Sequence, residues 1–67
     1  MVDFSIIVPA LNESVFIEKT VNQVINSIPN GKTFEIILIN DCSSDETGTI
    51  MDNMALTLEK TYVIHNR

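Results

Sequence analysis

The chain has 67 residues, 45% of them hydrophobic and 19% charged, with a formal net charge of -5. A chain this short holds at most one small domain, it is too apolar and too weakly charged for a disordered tail, and its acidity excludes nucleic-acid binding through a basic surface. A nucleotide stays compatible with that charge, because a metal ion can bridge an acidic protein to phosphate.

Phe4 to Val8 reads as a first strand, with Pro9 closing it by removing a backbone donor. Asn12 or Ser14 is placed to cap a helix, along which Ile17, Val21, Val24, Ile25 and Ile28 fall on one face. Pro29, Asn30 and Gly31 then form a turn. Phe34 to Ile39 is a second strand, and its branched run Ile36 to Ile39 has the continuous apolar character of a strand covered on both faces. Ser43 followed by Glu46 has capping-box spacing and predicts a second helix, with an apolar stripe of Ile50, Met51, Met54, Ala55 and Leu58. Thr61 to His65 is a third strand. The order βαβαβ with right-handed crossovers predicts an α/β fold with a parallel sheet, half of a doubly wound domain.

Met1 is followed at once by the strand-like "FSIIV", with neither a basic leader nor a long apolar run, so a cytoplasmic location is expected. The single cysteine, Cys42, allows no internal disulfide and no cysteine-rich metal site, which fits a reducing compartment.

Ligands of open α/β sheets bind at the carboxyl ends of the strands, and Asp41 stands there, after the second strand. The loops "VPALNE" and "NDCSSDET" meet at that edge, and neither is a glycine-rich phosphate cradle. Asp45, Glu46, Ser43 and Ser44 read first as helix-start residues. Asp41, Ser43, Asp45 and Asp52 imitate the spacing of a calcium loop, but Glu46 stands where that loop needs glycine. His65 has no evident partner and reads as a strand-end histidine.

"SIIVPALNES" followed, after one helix, by "EIILINDCSSDET" resembles the amino-terminal segment of family 2 glycosyltransferases, inverting enzymes of the GT-A fold that use nucleotide-sugars. The Pro-Ala-x-Asn-Glu end of the first strand is most similar to members that transfer sugars to polyprenyl phosphates. The resemblance implies a Rossmann-like sheet in the order 3-2-1 and makes residues 1–67 a partial domain. It implies that Asp41 accepts a hydrogen bond from the nucleotide base, a task that suits a carboxylate because uracil N3 and guanine N1 and N2 only donate. Pro9, Ala10 and Leu11 match the segment that lies along base and ribose, and Glu13 matches a carboxylate near the ribose hydroxyls.

Two positions depart from the family pattern. Asn40 stands where the first of two aspartates is common, and Cys42 where a glycine or small polar residue is frequent. The family's D-x-D motif, which holds a divalent cation (Mg or Mn) against the diphosphate, is absent from these residues, as are its base and acceptor site. The chain is therefore expected to be a fragment or truncated product, inactive alone, with no catalytic residue and no metal ligand of its own.

The resemblance also implies a nucleotide-diphosphate sugar as partner and, for the full-length enzyme, a lipid or membrane-bound acceptor at the cytoplasmic face of a membrane. A phospho-receiver module would need acids where Pro9 and Ala10 stand. A small α/β module that self-associates without catalysis is the other alternative. A homo-oligomer through the open edge of the first strand is expected in either case, because that apolar strand lacks a neighbour on one side.

Overall fold

Two successive βαβ crossovers of the same sense generate the fold, seen here in a computed structural model that describes residues 1–66. The elements are β1 (Phe4–Ala10), α1 (Ile17–Ser27), β2 (Phe34–Asp41), α2 (Thr47–Thr57) and β3 (Thr61–Asn66). The three strands are parallel, with β2 between β1 and β3. This is the α/β sheet expected from the sequence, the order 3-2-1 read from its other edge.

Side chains of a strand alternate between faces. In β2, Ile36 and Leu38 are fully buried, while Ile37 and Ile39 are half-buried. Val8 and Ala10 of β1 join Ile36 and Leu38 beneath Ile17 and Val21 of α1 and Met51 and Met54 of α2. Crossovers of one hand place both helices on that side.

The opposite face carries Ile7, Ile37 and Tyr62 in one register row and Pro9, Ile39 and Ile64 in the next. There Ile7 is 60% exposed, Tyr62 53% and Ile64 50%. The expectation of a second strand covered on both faces is thus met on one face only among the described residues.

Several local boundaries differ from those read in the sequence, with β2 running on to Asp41 instead of Ile39 and β3 to Asn66 instead of His65. β1 runs through Pro9 to Ala10, with Pro9 opposite Ile39. An edge strand tolerates proline because its missing N–H need not face the partner. Helix α1 starts at Ile17 without a side-chain cap, later than Asn12 or Ser14 would have set it. Helix α2 starts at Thr47, and the Ser43–Glu46 box does not form. The Asn12 and Ser43 side chains, read as caps, bond across to the other loop instead.

Gly31 sits at φ 83 in the turn before β2, a conformation open to glycine at little steric cost. No helix among the described residues is long and apolar enough to cross a membrane.

The one-sided core makes a testable contrast between neighbours in β2. Leu38→Ala opens a cavity under both helices and should cost about 2 to 5 kcal/mol. Ile37→Ala, on the uncovered face, should cost clearly less. Urea unfolding of the two variants measures the difference, and equal losses would show that the second face is packed as tightly as the first.

Candidate functional site

The parallel register brings the ends of all three strands to one edge. Ala10 lies beside Asn40, Asn40 beside His65, and Asp41 beside Asn66. Alternation then divides the edge into two sides. Ala10, Asn40 and His65 belong to the helix-covered face, whereas Pro9, Ile39, Asp41 and Ile64 belong to the open one.

Asp41 is exposed, and its carboxylate has no hydrogen-bond partner among the described residues. Pro9 is exposed on the same face, and Leu11, just beyond the strand, is 54% exposed. Ala10 is buried, so only its backbone can meet a ligand. Glu13 is held by its main chain: its carbonyl accepts the N–H groups of Phe16 and Ile17, and its own N–H donates to Thr47 Oγ1 at 2.9 Å. Its carboxylate is left at the surface.

The loops after β1 and β2 are stitched together by side chains. Asn12, at φ 51, presents Oδ1 to the N–H groups of Ser44 at 2.7 Å and Asp45 at 3.3 Å. Its own N–H donates to Ser43 Oγ at 3.0 Å. Ser14 N–H donates to Asp45 Oδ2 at 3.3 Å. Asp45 Oδ1 accepts the Thr47 N–H at 2.9 Å and also the Thr47 hydroxyl.

The Thr47 hydroxyl first, then Thr47 N–H and Ser14, outweigh partial desolvation and lower the Asp45 pKa from 3.8 to about 2. Asp45 thus takes the N–H of Thr47 at the start of α2 and also ties down the β1–α1 loop.

On the helix side an open cleft of about 570 Å³ is bordered by Asn40, Ser43, Asp45, Asp52, His65 and their neighbours. Asp41 does not border it, although its register partner Asn66 does. The cleft is polar and acidic.

At the back of the cleft Asn40 Nδ2 meets His65 Nδ1 at 3.0 Å, and His65 Nε2 meets Asp52 Oδ1 at 2.8 Å. Sequence reasoning left His65 without a partner, because its partners come from β2 and α2 and only the strand register brings them together. Cys42, beside Asp41, is held at φ 62 with its N–H donating to the Asn66 carbonyl at 3.2 Å. Gly48 leaves room for Asn40, since a Cβ there would lie 2.5 Å from Asn40 Nδ2.

Asp45 gives this stitch an acid limit. Its pKa is lower in the folded than in the unfolded chain, so its contribution is complete above the unfolded value of 3.8 and is lost as pH falls through about 2. The amide resonances of Ser14 and Thr47 should therefore move together across that window and stay still in Asp45→Asn. Amides that titrate near 3.8 in the native protein would show that the carboxylate is not held.

The chain matches the protein-family model described as "Glycosyl transferase family 2" over residues 5–67. An uncharacterized glycosyltransferase, MG060, of Mycoplasma genitalium is 33% identical over 63 residues, covering 87% of this chain and 21% of that protein. A probable glycosyltransferase, YdaM, of Bacillus subtilis is 39% identical over 51 residues, covering 76% of this chain and 12% of that protein. The chain thus spans about a fifth and an eighth of the length of these relatives. With the family model matched along nearly its whole length, the chain belongs to glycosyl transferase family 2.

Proposed function

We propose that this chain is the part of a hexosyl-transferring enzyme that recognises the nucleotide of a nucleotide-diphosphate sugar. The observation that carries this reading is Asp41: an exposed carboxylate without a partner among the described residues, on the same sheet face as Pro9 at the carboxyl edge. A base stacked along Pro9 and Leu11 would direct its ring N–H at that acceptor. The Ala10 backbone would follow the ribose, and Glu13 would reach its hydroxyls.

The likeness of the first loop to polyprenyl-phosphate sugar transferases supports a lipid-phosphate acceptor and a place at the cytoplasmic face of a membrane. The divalent cation would have to be held elsewhere in the enzyme, because no group of three His, Cys, Asp or Glu side chains that could hold a metal ion is present among the described residues.

Asp41→Ala should weaken binding of uridine or guanosine diphosphate by about 1 to 3 kcal/mol, the cost of leaving a base donor without its acceptor. Asp41→Asn keeps the size but offers an amide that can donate as well as accept, and should lose a similar amount. Calorimetry with both variants of the intact protein tests this, and unchanged affinity in both would remove Asp41 from the site.

A second reading, self-association without catalysis, is favoured by the apolar open face with exposed Ile7, Tyr62 and Ile64, and by the unpaired edge of β1 in the described sheet. Pairing of two β1 edges would extend the sheet and satisfy backbone groups left open there. For the 67-residue chain, sedimentation equilibrium should then show a dimer whose melting temperature rises with concentration. A folded monomer with a constant melting temperature would exclude this pairing.

A further inference from the structure

Three hydrogen bonds run from the Asp41 loop to α2 through one amide and one imidazole. The Ser43 N–H donates to Asn40 Oδ1 at 3.1 Å, which fixes the orientation of the Asn40 amide. Its Nδ2, a donor only, then faces His65 Nδ1 at 3.0 Å. That nitrogen must accept, so the neutral ring carries its proton on Nε2 and donates it to Asp52 Oδ1 at 2.8 Å. One tautomer therefore satisfies the whole chain of bonds, with the Asp41 loop at one end.

We infer that His65 is a positioning residue for Asp41, acting through Asn40: the loop holds its binding geometry when the imidazole is neutral and protonated on Nε2. A proton added to Nδ1 sets an N–H against the Asn40 NH₂ group. The amide can accommodate it only by turning its oxygen to His65, which takes the acceptor away from Ser43 N–H.

Ser43 is two residues from Asp41, across the left-handed Cys42, and its hydroxyl also accepts the Asn12 N–H. Protonation is thereby transmitted to both loops of the site. The charged groups around the ring do not prevent it. Asp52 from α2 and Asp45 from the loop border the same cleft and are acidic, Asp41 lies on the other sheet face, and no lysine or arginine among the described residues borders the cleft.

This inference rests on the reading of Asp41 as a nucleotide contact, so it is tested in two arms on the intact protein. Without ligand, ¹⁵N NMR should show an unprotonated Nδ1 in the neutral His65 ring, and the Ser43 amide should move when the imidazole takes up a proton. With uridine and guanosine diphosphate as probes, affinity should fall about three- to tenfold on that protonation, the worth of one hydrogen bond.

Two variants distinguish the relay from a merely structural role. In Asn40→Asp the carboxylate can accept from both Ser43 and a protonated Nδ1. In His65→Asn the side-chain oxygen accepts from Asn40 and cannot titrate. Both should flatten the pH profile.

A proton on Nδ1 of the neutral ring, or a Ser43 amide indifferent to the imidazole, overturns the relay whatever binds. A responsive Ser43 with pH-independent nucleotide affinity overturns its control of the site. A responsive Ser43 with no nucleotide binding at any pH overturns instead the nucleotide reading on which that control depends.

Discussion

The placement of β2 between two parallel neighbours is the constraint on which the rest of the molecule depends. Among the described residues only this strand is hydrogen-bonded on both edges, so its register with β1 and β3 aligns the three carboxyl ends. The same strand divides the molecule into two environments. Its even-numbered residues Ile36 and Leu38 nucleate the core under both helices, while Ile37 and Ile39 line a face that no described element covers. A slip of one residue would exchange these two sets, so the apolar core and the position of Asp41 are specified together.

Where β2 ends, the chain satisfies its loop backbone by bonds across loops instead of caps within helices. Asn12 serves Ser44 and Asp45, and Ser43 returns a bond to Asn12. Thr47, fully buried at the start of α2, joins Asp45 to the Glu13 backbone. A helix cap would have fixed one helix end. Spending the same side chains between loops fixes the relative position of the two segments that the family resemblance assigns to nucleotide recognition.

The fold was legible because the signals that carry it are short-range. Short continuous apolar runs locate the strands and period-3.6 stripes the helices, and turn residues at Pro29 to Gly31 separate two of these elements. The starts of α1 and α2 were not legible, since Asn12, Ser43 and Glu46 have cap-forming chemistry and the sequence alone does not say that Asn12 and Ser43 face each other across 31 positions. Position Asp41 followed from the strand end. The partners of His65 did not, because Asn40 and Asp52 reach it by cross-strand register and by the seating of α2 on the sheet. The bare second face was missed for another reason: a run such as Ile36 to Ile39 shows that both faces are apolar, not that both are covered.

Two aspartates four residues apart show how the same loop separates structural from available charge. Asp45 takes hydrogen bonds from Thr47 and Ser14 and is pulled well into its ionised form, so its lone pairs are committed to the loop. Asp41 has no such commitment among the described residues, although N–H groups of this loop are turned to Asn12, Asn40 and Asp45 close by. The difference comes from pleat parity. Asn40 points to the helix side, where Ser43 and His65 engage it, and so Asp41 must point to the other side, away from every donor the loop supplies. A carboxylate set at that edge by the pleat of β2 thus keeps acceptor capacity that the loop does not use.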